Sequence, residues 1–351
     1  MPATPVTPIT VLTGFLGSGK TTLLNHALRD AAFADTAVLV NEFGQIGIDH
    51  LLVREASENV VLLEGGCICC QVAGDVVQAL RDLHFKRAEG SIPLFRRAVI
   101  ETTGLADPAP LLRTLIEMPL VAARYSLAGV VTTVDADHGA RTLDAHPEAV
   151  KQVAVADRVI LTKTDLVDAA QVEAITARIA AMVPGVPVER AVKGVIAPER
   201  LFASGLGRPA GETPDAAGWF GRGWRSHASG VGAHDRRIRS FVWHHDGDLD
   251  WETFATGLET LLELRGDRIL RLKGLVNVAG EPGPRAIHAV QHSLYPPAKL
   301  AAWPDGPDFA DRHSRIVFIT RDLEEAPVAQ ILNSFASRNP ACSPPPITSS
   351  P

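Results

Sequence analysis

The chain is poor in cysteine, poor in tyrosine and has no surplus of positive charge. Its 351 residues contain four cysteines and two tyrosines, and 34 Lys+Arg face 40 Asp+Glu for a formal charge of -6. Without a broad electropositive field, neither a nucleic-acid polymer nor an anionic membrane surface is an expected partner. Cys67, Cys69 and Cys70 crowd into one short run, where neighbours cannot staple distant segments, and Cys342 stands alone. A secreted disulfide scaffold is excluded, and a reduced metal or redox site becomes the question. Long charge-free apolar stretches of about 18 residues are also missing, so no bilayer-spanning helix is expected. The first 19 residues carry no charge, yet they lack a basic start and contain Pro2, Pro5, Pro8, Gly14 and Gly17. A secretory leader is therefore not expected, and the expected location is cytoplasmic.

What the chain does have is ordered punctuation. Residues 9–13 are apolar and β-branched, run into Gly14-Phe-Leu-Gly-Ser-Gly-Lys-Thr-Thr22, and are followed by Leu23, Leu24, Ala27 and Leu28 at helical spacing. This predicts strand, glycine-rich turn, helix. Further apolar strands are expected at Thr36–Val40, Val60–Leu63, Ala98–Ile100, Ala128–Val134 and Arg158–Leu161, with helices at Asp75–Lys86 and Pro108–Glu117. Near-continuous apolar strands alternating with helices predict an α/β domain, a doubly wound and mainly parallel sheet covered on both faces.

This first domain is expected to span residues 1–202. Residues 203–236 dissolve into glycine, serine and proline and read as a mobile linker. Within it Trp219, Phe220 and Trp224 read as an anchor to one of the domains. Strands near Ile238–Trp243, Arg268–Val278, Ala286–Leu294 and Arg315–Thr320, with helices at Leu249–Leu264 and Ala326–Ala336, predict a smaller α+β domain over 237–337. Residues 338–351, rich in proline and without charge from Asn339 on, are expected to be disordered.

Gly14-x-x-x-x-Gly19-Lys20-Thr21 is a complete P-loop pattern in its required context. Glycines 14, 17 and 19 and Ser18 let backbone N–H groups converge on phosphate oxygens. Lys20 brings a point charge to the β- and γ-phosphates, and Thr21, followed by Thr22, offers a hydroxyl to Mg²⁺. Glu101-Thr102-Thr103-Gly104 ends a predicted strand, where Glu101 can hold the Mg²⁺ water shell or orient an attacking water, and Gly104 supplies a flexible backbone. Thr162-Lys163-Thr164-Asp165 resembles the Asn-Lys-x-Asp base-recognition element of GTPases. Asp165 would accept from guanine N1–H and N2–H₂, and Lys163 would lay its stem over the base. Thr162 stands where Asn is usual, which weakens the guanine preference.

Gly65-Gly66-Cys67-Ile68-Cys69-Cys70 follows a predicted strand and precedes a helix. Cys67 and Cys70 are three apart, suited to joint chelation, and Cys69 adds a third thiolate. Soft sulfur favours Zn²⁺, Co²⁺ or Cu(I) over Mg²⁺. Inert buried cysteines and a redox switch are the competing readings. The remaining coordination position is open to Glu42, a histidine, water or a partner's ligand, and the loop Asn41–Asp49, which places Glu42 and Asp49 near the same edge, can touch the thiolates and sense the γ-phosphate at once. His227, His234, His244 and His245 are too scattered for a metal-storage tract and read as solvated or structural.

Taken in order, Gly14–Thr22, Asn41–Asp49, Gly66–Cys70, Glu101–Gly104 and Thr162–Asp165 resemble the CobW-type metallochaperone GTPase family of P-loop NTPases. Arg271-Leu-Lys-Gly274 and Arg315-Ile-Val-Phe-Ile319 are similar to the CobW C-terminal domain, so the likeness covers about residues 8 to 337. The resemblance implies slow Mg²⁺-dependent hydrolysis of GTP, coupled to binding or delivery of zinc or cobalt. The recipient would be a client metalloprotein or a cofactor-biosynthesis enzyme. It implies phosphate and Mg²⁺ binding by Lys20, Thr21 and Glu101, and transition-metal binding by Cys67, Cys69 and Cys70. Two other readings stay open: a metal- or redox-responsive nucleotide-binding regulator with little turnover, and an ATP-using P-loop enzyme.

Overall fold

The computed structural model describes residues 6–33, 35–40, 61–64, 72–197, 200–201 and 237–336. The expected linker, residues 203–236, and the expected tail, residues 338–351, lie outside the described residues.

The first domain is a parallel sheet whose strands are β1 (Thr7–Gly14), β2 (Thr36–Val40), β3 (Val61–Glu64), β4 (Arg97–Glu101), β5 (Tyr125–Asp135), β6 (Arg158–Thr162) and β7 (Val188–Arg190), in the order β3-β2-β4-β1-β5-β6-β7. Every residue of β2 and β6 is buried. Covered faces on both sides are why these strands read as unbroken apolar runs. The helices around it are α1 (Lys20–Ala27), α2 (Val72–Glu89), α3 (Ala109–Glu117), the single turn α4 (Pro119–Ala122), α5 (Gly139–Ala145), α6 (Pro147–Ala154) and α7 (Ala169–Met182). The last three were not among the expected elements. Strands β2 to β4 lie on one side of β1, with β4 returning to lie against it, and β5 to β7 run outward on the other, so the carboxyl ends of β1, β4, β5 and β6 rim one crevice, where ligands of such sheets bind.

The second domain is an antiparallel sheet, β8 (Ile238–His245), α8 (Trp251–Arg265), β9 (Ile269–Val276), β10 (Arg285–Val290), β11 (Ser293–Leu294), β12 (Ala298–Lys299), β13 (Ser314–Arg321) and α9 (Glu325–Ala336), with strand order β11-β10-β9-β13-β8 and β12 beside β10. The single strand expected over Ala286–Leu294 is instead a hairpin, β10 and β11, which turns beside Gln291 at φ 50°. One face of the sheet packs Leu272, Val276 and Phe318 against Phe254, Leu258, Val328 and Leu332 of the helices. The other face meets the first domain: Leu270 and Ile319 share a core with Val150, Val153 and Val159. Of the scattered histidines, His244 is exposed and His245 stacks on Trp243, while His227 and His234 lie outside the described residues.

The contact between α8 and α9 reverses a usual rule. Glycine inside a helix ordinarily costs about 1 kcal/mol relative to alanine. At Gly257 of α8, however, an added Cβ would stand 2.5 Å from Cγ of Phe335. Overpacking of this kind costs about 1–3 kcal/mol. Gly257→Ala is therefore expected to lower the denaturant midpoint of the second domain; a rise would show that the two helices do not approach so closely.

Candidate nucleotide site

Strand β1 delivers the chain into the phosphate loop at Gly14, where φ is 143° and a Cβ would lie 2.3 Å from Thr133 Oγ1 and 2.6 Å from its carbonyl oxygen. No side chain fits there, which is the physical reason for glycine as the loop leaves the strand. Gly17 and Gly19 continue the turn with φ of 70° and 91°. Ser18 Oγ lies 2.6 Å from Thr133 Oγ1, a hydrogen bond that ties the loop to β5. Lys20 opens α1 and is buried, its Nζ donating to the carbonyls of Gly14 at 2.9 Å and Phe15 at 3.2 Å. The ammonium thus sits inside the loop that would wrap the phosphates.

Glu101 ends β4, in parallel register with Leu12 of β1, and is buried. Thr21 Oγ1 donates to Glu101 Oε1 at 2.6 Å, joining the first turn of α1 to the end of the neighbouring strand. Thr102 Oγ1 donates to Thr13 Oγ1 at 2.8 Å, and its N–H donates to Leu12. The chain then turns back onto the loop: a Cβ on Gly104 would stand 2.6 Å from the backbone nitrogen of Leu16.

On the other side of β1, Thr162 ends β6 and its hydroxyl donates to the carbonyl of Ser18 at 2.7 Å. The residue in the usual Asn position therefore fastens the Thr162–Asp165 segment to the glycine-rich loop. Lys163 takes φ 56°, and its Nζ pairs with Asp135 Oδ2 at 2.6 Å. Asp165 lies exposed in the short 3-10 turn Thr164–Leu166.

Sequence reasoning missed Asp135, whose other carboxylate oxygen accepts from the N–H groups of Asp137 at 2.8 Å and His138 at 3.2 Å. The available signal was an acid closing the apolar run Val130–Val134, at the carboxyl end of a parallel strand. It also missed Gln152, which reaches the Gly104 turn from α6.

The structure thus gathers Gly14, Gly17, Ser18, Gly19, Lys20, Thr21, Glu101, Gly104, Thr162, Lys163 and Asp165 around the carboxyl ends of β1, β4 and β6. Thr22 is exposed on α1. Glu42, Asp49, Cys67, Cys69, Cys70 and Cys342 lie outside the described residues. Their stems are placed: Val40, which precedes the Glu42 segment, pairs with Glu64, which precedes the cysteines, and with Glu101. Among the described residues no three His, Cys, Asp or Glu side chains converge as a metal site.

Comparison with known proteins follows the same two-part division. Residues 8–190 match the family described as "CobW/HypB/UreG, nucleotide-binding domain", and residues 238–336 match the "Cobalamin synthesis protein cobW C-terminal domain". The chain is 35% identical over 320 residues to a protein named "Zinc chaperone YjiA" from Escherichia coli, covering 90% of this chain and 95% of that one. It is 32% identical to "Zinc chaperone CobW" of Pseudomonas aeruginosa, covering 93% and 91%. The crystal structure of Zn(II)-bound YjiA GTPase from E. coli superposes with a TM-score of 0.70 at 28% identity, covering 95% of this chain and 99% of that one.

Proposed function

This chain belongs to the CobW family of P-loop proteins, and from that premise we propose that it is a GTP-hydrolysing metallochaperone whose nucleotide state governs a thiolate site for a transition metal, zinc first among the candidates. The observation that carries the reading is the 2.6 Å hydrogen bond from Thr21 to Glu101, because it holds together, beside the glycine-rich loop, the hydroxyl and carboxylate that this reading assigns to Mg²⁺.

A hydroxyl and a carboxylate are hard donors of the kind Mg²⁺ takes alongside phosphate oxygens and water, so the residues fit that ion. Bound there, Mg²⁺ neutralises charge on the phosphates. Lys20, already inside the loop, exchanges its two backbone carbonyl partners for phosphate oxygens. Backbone N–H groups at the start of α1 point the same way and add the helix dipole. Glu101 is fixed by its strand and by Thr21, which suits it to orient the water that attacks the terminal phosphate. Lys163 and the exposed Asp165 stand where the base would lie, and the paired acceptors of a carboxylate match guanine rather than adenine.

The metal is the cargo. Cys67, Cys69 and Cys70 are soft ligands suited to it, and Glu42 is the candidate fourth. Cys67 is three positions beyond Glu64 and Glu42 two beyond Val40, a reach of at most about 7–11 Å from strand ends that pair with each other. Glu101 pairs with Val40 in the next strand, so loss of the terminal phosphate and a change in metal ligation are felt on adjacent strand ends. The recipient is a client metalloprotein or cofactor-biosynthesis enzyme that docks on the metal-bearing edge.

The reading is tested by zinc affinity with a non-hydrolysable GTP analogue and Mg²⁺ against GDP and Mg²⁺, in the wild type and in Cys67→Ser. A difference of about tenfold or more between nucleotide states is expected, about 1.4 kcal/mol of coupling, which Cys67→Ser abolishes along with tight binding. Equal affinities in both states sink the coupling.

A further inference from the structure

We infer that Gln152 is a positioning residue for GTP hydrolysis: it holds the turn Gly104–Ala106 against the phosphate loop, and the second domain sets its place through a buried ionic clamp on Asp157. The inference rests on the preceding reading, in which the turn after Glu101 faces the terminal phosphate.

Gln152 is fully buried on α6, between Val150 and Val153 of the shared core. A buried amide is costly unless hydrogen-bonded. Its Nε2 donates to the carbonyl of Gly104 at 3.2 Å and to that of Ala106 at 3.0 Å. The preceding residue, Lys151, pairs with Asp107 at 2.5 Å. Two consecutive residues of α6 therefore grip the whole turn, and the turn in turn presses Gly104 on the backbone of Leu16. The backbone carbonyl of Gln152 accepts from Thr132 Oγ1 at 2.7 Å, which fixes the middle of α6 to β5.

The far end of α6 is held from the second domain. Asp157, three residues beyond the helix, accepts from the N–H of Val130 at 2.9 Å through Oδ2. Its Oδ1 meets Arg271 at 3.1 Å and Lys273 at 2.5 Å, both from β9, while Arg271 also donates to the carbonyl of Ala156. All three side chains are buried. Burial alone would raise the Asp157 carboxyl, but Lys273 and Arg271 hold it well below the usual carboxylate range. Burial, together with the charge of Arg271, lowers the Lys273 ammonium from its ordinary value, while the Asp157 carboxylate beside it acts to raise it. Removing one member of a buried cluster leaves the others uncompensated, so the clamp tolerates little displacement of β9 relative to α6.

A continuous physical line results: β9, Asp157, α6, Gln152, Gly104, phosphate loop. Gln152 touches no substrate. It acts by keeping the turn seated, and a shift in how the second domain docks moves it.

Steady-state GTP hydrolysis by the full chain tests this in Gln152→Met, which keeps side-chain length and removes the donor, in Lys273→Met, and in the double variant. Gln152→Met is expected to lower kcat about tenfold or more, with KM for GTP changed less than about threefold, since misplacement rather than lost binding is the defect. Lys273→Met is expected to lower kcat in the same way, and the double variant to be no worse than the poorer single one, because both break the same line. A Gln152→Met kcat within about twofold of wild type, or two effects that simply multiply, overturns the inference. If unfolding scans show Gln152→Met unfolded at the assay temperature, Lys273→Met decides, and an unchanged kcat in it overturns the inference. Wild-type protein that releases no phosphate overturns this and the reading it rests on; wild-type release left intact by Gln152→Met overturns this alone.

Discussion

Lys20→Ala is expected to lower GTP turnover by about 10²–10³-fold, the usual loss when one preorganised charge is removed from a site of developing negative charge. The direction follows from where the ammonium already lies. Lys20 is buried, and its Nζ is held by the carbonyls of Gly14 and Phe15 inside the loop. Substrate binding needs only an exchange of partners at that position, with little reorganisation. The same geometry puts a bound on the damage to the fold. Truncation frees the carbonyl of Gly14, buried at the end of β1, and that of Phe15, which is part-buried, so a stability loss of about 1–3 kcal/mol is expected. Single-turnover phosphate release and a denaturant titration separate the two effects. A variant that turns over within threefold of wild type, or one that no longer folds, contradicts the assignment.

The second large effect is expected from a single methyl group. In Gly104→Ala the new Cβ would meet Leu16 at its backbone nitrogen, 2.6 Å away, and at its Cα, 2.7 Å away. Rotamer change relieves neither contact. Either the phosphate loop or the turn after Glu101 has to retreat by roughly 0.5–1 Å, and displacements of that size in a reacting geometry cost about 10²-fold in rate. The overpacking itself is expected to cost about 1–3 kcal/mol. Nucleotide affinity is expected to fall less than kcat, because the phosphate-wrapping N–H groups belong to the loop and the clash lies at its outer side. Titration of a fluorescent GDP analogue beside the turnover assay distinguishes the two; an unchanged kcat shows that the loop and turn are not pressed together.

The phosphate loop was legible in the sequence because its function is local. Glycines, lysine and threonine act from fixed offsets within one turn, and the strand before them and the helix after them announce themselves by period. The covered strands β2, β4 and β6 were legible for the same reason, their burial on both faces leaving an apolar run. Other features depend on partners far along the chain. Nothing around Gln291 marks a hairpin, since no Asn-Gly or Gly-Gly pair stands there, and the single strand expected over Ala286–Leu294 followed from that silence. Arg271 and Lys273 alternate with Leu270 and Leu272, a pattern that does not say whether the charged face meets water or a buried acid. It meets Asp157, 114 positions earlier in the case of Arg271. Gln152 is equally silent, because its worth lies in two carbonyls more than forty residues away in sequence. Thr162 shows the opposite case. A departure from the usual Asn was visible at once, but its tie to the Ser18 carbonyl needed the fold.

The separation between Asp157 and its cations also orders events during synthesis. At about 5–20 residues per second, roughly 6–23 s pass after Asp157 is made before Arg271 and Lys273 exist to meet it. The parallel sheet, whose last described strand ends at Arg190, is complete well inside that interval. The nascent first domain therefore carries a hydrated carboxylate at the end of α6 until the ribosome supplies β9, and the second domain assembles on a surface already formed.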